Sequence, residues 1–239
     1  MLSFPEAIHY FHAKLVNGEK FALGRFGDGE WGAIKGVQFA PGNGEWRCDS
    51  NDPSFEGSRQ MLAEAIRYQH PQYHVAICPC YVDMLEFSGQ PLTHVTYANI
   101  FVNANYSYYK EHFIKIYQER DVWLVANKDA CLHDLPFSVE RFFPIEYNAW
   151  TKNKDLIEEI IQEQARDKLF LFSAGPFANI LAHRLWEANK DNVYLDIGST
   201  LDMWMLKNSL NKRDYYMSNN GYATLSCPCD GVRPSCHWL

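Results

Sequence analysis

A chain of 239 residues, 47% of them hydrophobic, is long enough to bury one substantial core, and a single domain is the expectation. Its 22 Lys and Arg stand against 29 Asp and Glu, a formal net charge of −7 with no basic run, which excludes the electrostatic footprint of a nucleic-acid binder. Seven scattered cysteines, an odd number, argue against a secreted disulfide framework. With neither a signal-like block nor an apolar run near the roughly 20 residues of a membrane helix, the expectation is a cytoplasmic protein with no membrane span.

In chain order, Ile8, Phe11, Leu15 and Val16 fall at helical spacing and predict a helix over residues 4–16. A short strand over 21–25 runs into Gly27-Asp28-Gly29. After an irregular stretch rich in Gly, Asn and Asp, Phe55, Met61, Leu62, Ala65 and Ile66 mark one face of a helix that stops before Pro71. A strand over 73–78, a short helix over 82–87, a mixed stretch to residue 102, a helix over 106–118 and an apolar strand over 122–126 follow. The second half repeats the alternation: strand 141–145, helix 152–166, strand 169–173, helix 176–189, strand 193–196. Near-continuous apolar strands between helices predict an α/β fold, a Rossmann-like, mostly parallel sheet with helices on both faces in one domain.

In such sheets ligands lie at the carboxyl ends of the strands, and three post-strand loops carry chemistry-bearing residues. In Arg25-Phe26-Gly27-Asp28-Gly29-Glu30, two hard oxygen ligands flank a glycine whose turn would let both carboxylates face one divalent ion. The plainer reading is a turn, with Asp28 capping a short helix and Arg25 a structural ion-pair partner. In Ser173-Ala174-Gly175-Pro176, Pro176 suits the first turn of a helix and Gly175 permits close approach to a phosphate, with Asn179 as an extra polar contact; Gly-Pro is also ordinary strand-to-helix punctuation. Leu195-Asp196-Ile197-Gly198-Ser199 resembles the first nucleotide-binding motif of a methyltransferase, but it follows the last recognisable strand instead of the first. Asp196 is a candidate for donor or acceptor hydroxyls, and Asp196 or Asp202 for a general base. Trp31, Trp46, Tyr106, Tyr108 and Trp150 are candidates to line an acceptor groove.

These loops, in this order, resemble the GT-D type of bacterial glycosyltransferase, formerly a domain of unknown function, whose RFGDGE signature and metal-binding D-x-E match residues 25–30. Asn103-Ala104-Asn105-Tyr106, residues 122–128, Pro144 with Asn148-Ala149-Trp150, Ala174-Gly175-Pro176 and Leu195-Asp196-Ile197-Gly198 resemble later blocks. Gly175-Pro176-Phe177-Ala178 departs from the family's GPTA-like block, Ser199 replaces a His, and residues 129–139 replace an Arg- and Gly-rich stretch.

The resemblance implies transfer of a sugar from a nucleotide-diphosphate donor, a UDP-sugar, to a glycan or glycoconjugate acceptor. It implies Mn2+ or Mg2+ held by Asp28 and Glu30, and Asp28, Glu30 and Asp196 as the catalytic set. The nucleotide sugar would be bound by Gly24, Arg25, Gly27, Asn148, Ser173, Gly175, Pro176, Asn179 and Gly198. The alternatives are a methyltransferase using S-adenosylmethionine and a noncatalytic glycan-binding module. The domain is expected over residues 1–210, followed by a tail over 211–239 in which Cys227, Cys229, Cys236 and His237 offer zinc ligands at spacings unlike the usual knuckle.

Overall fold

The structure, a computed structural model, describes residues 2–38, 46–49, 51–78 and 81–206. Its strands are β1 (Ala22–Phe26), β2 (Tyr73–Ile77), β3 (Val95–Tyr97), β4 (Val122–Asn127), β5 (Arg141–Ile145), β6 (Leu169–Ser173) and β7 (Val193–Asp196). They form one seven-stranded sheet in the order β3-β2-β1-β7-β6-β4-β5, every pairing parallel. The predicted α/β architecture is therefore the observed one.

Both faces are covered, which is why the central strands read as unbroken apolar runs. On one face lie α2 (Asp28–Ile34), α3 (Glu56–Arg67), α4 (Val82–Ser88), α7 (Ala149–Lys152), α8 (Leu156–Gln162) and α9 (Pro176–Ala188). On the other lie α1 (Phe4–Val16), the helical run α5 (Tyr106–Tyr108) to α6 (Ile114–Gln118), and α10 (Asp202–Met205). Strand β4 shows the period of two: Val122, Leu124 and Ala126 enter the α1 side, Trp123 and Val125 the α9 side. The connections obey one handedness. Moves from β1 to β2, β5 to β6 and β6 to β7 go one way across the sheet with α3, α8 and α9 on one face, while the return from β3 to β4 carries α5 and α6 on the other.

Three expectations shift. Strand β3, only three residues at the sheet edge, lies inside the stretch read as mixed. The helix expected over 106–118 contains a widened π-helical turn, Tyr109–Phe113, between α5 and α6, whose Tyr109 and Phe113 rings stack with centroids 5.4 Å apart. The helix expected over 152–166 is instead α7 and α8, separated at Asn153, whose Oδ1 accepts the N–H of Glu146 at 3.1 Å; it ends early because Gln164 turns to φ 48°. The proposed tail, with Cys227, Cys229, Cys236 and His237, lies outside the described residues, as does the boundary at 210.

Candidate functional site

Strands β1, β7 and β6 are neighbours, so the three loops singled out above leave the same edge of the sheet side by side. All three leave the carboxyl ends of parallel strands, the end at which open α/β sheets bind their ligands.

Asp196 is the hub. At the last position of β7, it is 5% exposed; one carboxylate oxygen accepts the N–H of Arg25 at 3.2 Å and the other that of Gly198 at 2.9 Å. It thereby continues the β1–β7 ladder with its side chain and ties two loops together. Burial pushes its pKa from 3.8 to about 6, against the pull of the Arg25 charge and of the two backbone donors. Arg25 is held from several sides: Nε donates to the carbonyl of Ala98 at 2.6 Å, the guanidinium lies over Phe101 at 5.8 Å, and its carbonyl accepts from Asn179 Nδ2 at 2.9 Å.

Asp28 and Glu30 occupy the first turn of α2, and Gly29 between them is a buried helical residue, not the turn glycine that the sequence suggested. Two positions along a helix diverge by about 200°, so the carboxylates part. Asp28 is exposed, where its charge suits the helix N-terminus; Glu30 folds back, half-buried, and accepts the N–H of Gly27 at 2.9 Å. Burial above all, then the negative charges of Asp196 and Asp28, push the Glu30 pKa from 4.5 to about 7, with backbone hydrogen bonds from Glu30 and Gly27 opposing. Glu30 thus feels the charges of both Asp196 and Asp28, although the three carboxylates are not gathered within 4.8 Å of one another. Each offers hard oxygen donors of the kind a divalent cation takes, and holding one ion between Asp28 and Glu30 would require their side chains to turn toward each other.

The glycines of these loops make room for protein side chains. A Cβ on Gly24 would lie 3.0 Å from Asn179 Oδ1 and 3.2 Å from the Tyr73 hydroxyl, two buried oxygens that have no hydrogen-bond partner among the described residues. Gly175, at φ 55°, starts α9 with Pro176 at its first position, as expected, but what approaches it is the indole of Trp46, 3.0 Å from a Cβ placed there. The reading of Gly175 as clearance for a phosphate is corrected to clearance for Trp46. Ser173, half-buried, ends β6 beside it.

Asn148 explains how Trp46 is held. Buried and in the left-handed region at φ 57°, which Asn tolerates, it accepts the N–H of Arg47 on Oδ1 at 2.6 Å. Trp150 Nε1 donates to the carbonyl of Arg47 at 3.2 Å, and the rings of Trp46 and Trp150 meet edge to face at 5.8 Å. Both backbone groups of Arg47 are thus clamped from α7. Asn148, expected at the nucleotide sugar, has its side-chain oxygen engaged in this clamp.

The aromatic groove is also corrected: Trp31, Trp46, Tyr106 and Trp150 are buried in the core, and Tyr108 stacks on His9 at 4.5 Å against α1. Asp202, the other candidate base, is buried at the start of α10. Sequence reasoning missed Tyr73, Ala98 and Phe101. None belongs to a motif, and only the register of β2 beside β1 brings Tyr73 under Gly24, while a backbone carbonyl such as that of Ala98 leaves no trace in a sequence.

The family model described as "Glycosyltransferase GT-D fold" matches residues 55–214, beginning after the Arg25 to Glu30 segment. No match was found among curated proteins. Among solved structures, a new glycosyltransferase (domain of unknown function 1792) from Streptococcus sanguinis is similar at 17% identity and a TM-score of 0.57, covering 83% of this chain and 81% of that one. A structure described as the highly conserved domain of unknown function 1792, with a distinct glycosyltransferase fold, is similar at 15% identity and a TM-score of 0.54, over 82% of this chain and 76% of that one. These likenesses concern the fold.

Proposed function

Because the chain belongs to the glycosyltransferase family of the GT-D fold, we propose that it transfers a sugar from a uridine diphosphate donor to a glycan acceptor with the help of Mn2+ or Mg2+ held through Asp28 and Glu30. The observation that carries this reading is Glu30, pushed up to about 7 with the charges of both Asp196 and Asp28 acting on it, next to the Asp196–Arg25 tie between β7 and β1. A divalent ion there would neutralise charge that develops on the departing diphosphate. The residues of the chain do the rest. Arg25, fixed by Ala98 and Phe101, sets a positive charge beside the same acids. Asp196, with both oxygens on backbone N–H groups, positions the β1 and β7 loops and keeps the Glu30 environment electronegative.

Family membership disfavours the methyltransferase alternative, and so does topology: β7 is the last strand among the described residues and already lies between β1 and β6. Among the described residues, no helix is long and apolar enough to cross a membrane. The test is a titration with uridine diphosphate, with and without manganese. Manganese-dependent binding supports the reading; binding indifferent to manganese, together with no turnover of any nucleotide sugar, removes it.

A further inference from the structure

Residues 129–139 connect β4 to β5. Here Cys131 precedes a short 3-10 turn, Leu132–Asp134, and Cys131, His133 and Asp134 each offer one ligand atom, all within 4.8 Å of one another. Among the described residues, this is the one group of three or more His, Cys, Asp or Glu side chains so arranged. We propose that Cys131, His133 and Asp134 bind a transition-metal ion of the zinc type, with three protein ligands and a fourth position open to solvent.

The three ligand atoms are close enough to share a single ion after a side-chain rotation. Zinc bonds of about 2.3 Å to sulfur and about 2.0–2.1 Å to nitrogen or oxygen put neighbouring ligand atoms about 3.4–3.6 Å apart. Cys131 Sγ lies 3.6 Å from His133 Nε2, which lies 3.5 Å from Asp134 Oδ1. The Nδ1 atom of the same ring is 3.1 Å from Sγ, so the thiol lies beside the ring, and the exposed His133 side chain must rotate to aim one nitrogen lone pair at an ion shared with Cys131 and Asp134. The frame is anchored on backbone: Cys131 N–H donates to the carbonyl of Met205 in α10 at 2.9 Å, and Asp129 N–H to Asn127 Oδ1 at 2.9 Å.

Ligand chemistry separates this site from the first. A thiolate and an imidazole select zinc or cobalt over the hard ions that Asp28 and Glu30 suit. The His133 side chain is 81% exposed, so an ion can enter without the fold opening. Binding converts the thiol to a thiolate and releases its proton to solvent. The ion would stiffen the β4–β5 loop, which the Cys131 N–H already ties to α10. This inference stands independently of the donor and metal proposed for catalysis.

The experiment uses cobalt(II) with the full chain carrying Cys227→Ser, Cys229→Ser and Cys236→Ser, so that those three thiols contribute nothing. The expected result is one bound equivalent with a thiolate-to-cobalt charge-transfer band that millimolar manganese does not abolish. Adding Cys131→Ser removes the band; adding His133→Ala, which keeps the thiol, weakens binding at least about a hundredfold, the upper end of what even an outer-shell partner contributes. If the triple background does not fold, the comparison is made between the natural chain and its Cys131→Ser variant, which must bind one equivalent fewer. Absence of the band, or the same band and stoichiometry after Cys131→Ser, overturns the proposal.

Discussion

A Cβ added to Gly198 would lie 2.5 Å from Nη1 of Arg25: the guanidinium of one loop fills the space that a side chain on the next would need. Gly198→Ala therefore meets a clash and also a φ of 55° that an alanine adopts only at a cost of about 1 kcal/mol or more. We expect a lowered melting temperature together with weaker uridine diphosphate binding, because Arg25 must move. Unchanged donor affinity in a folded Gly198→Ala protein would mean that Arg25 does not serve the site.

Asp28→Asn and Glu30→Gln keep shape and remove charge. Neutral amides are poorer ligands for a hard dication, so each should lower metal-dependent turnover at least about a hundredfold, or roughly 2.7 kcal/mol of transition-state stabilisation. Near-normal, manganese-stimulated turnover in both variants places the ion elsewhere.

The buried acids make a pH prediction with a definite sign. Asp196 is raised from 3.8 to about 6 and Glu30 from 4.5 to about 7, so between those limits the unfolded chain releases protons that the folded one retains. Their contribution is fully present below about pH 4 and is lost as pH rises toward 7, a few kcal/mol in all. A metal that needs the carboxylates ionised acts oppositely: the rise in melting temperature caused by manganese should grow across the same interval. Melting scans from pH 4.5 to 7.5 check both slopes, and a manganese effect that shrinks with pH contradicts ligation by Glu30.

Trp46 over Gly175 can be tested as a pair. Trp46→Ala should destabilise by about 3–5 kcal/mol, as expected for a buried aromatic ring. Gly175→Ala adds a steric contact with the indole to the strain of φ 55°. In the double variant the contact is gone and only the strain remains, so the two effects should fall short of additivity by at least about 0.5 kcal/mol. Strict additivity by denaturant unfolding would show that the ring does not press on this turn.

The strands were legible wherever burial on both faces left an apolar run: β5, β6 and β7 are found at the predicted residues. Strand β3 was not, because three residues at an edge give no periodicity to read. For the site, sequence correctly brought the loops of β1, β6 and β7 together, since strand ends follow from strand positions. It assigned the wrong neighbours to two glycines. That Gly175 faces Trp46 and Gly29 lies inside a helix depends on how distant segments dock, and the clamp of Asn148 on Arg47 spans 101 residues. Residue type announces that space is needed, not who takes it.

The strand order also fixes when the site can come into being. β7, the last strand among the described residues, is the keystone: without it β3-β2-β1 and β6-β4-β5 are separate three-stranded ribbons, each with a bare inner edge. A nascent chain synthesised from its N-terminus must keep those two edges apart from other chains until residue 196 arrives. Closure then delivers Asp196 to Arg25 in the same event that completes the sheet. Competence for metal and donor should therefore appear together with global folding, with no partly assembled species that holds one without the other.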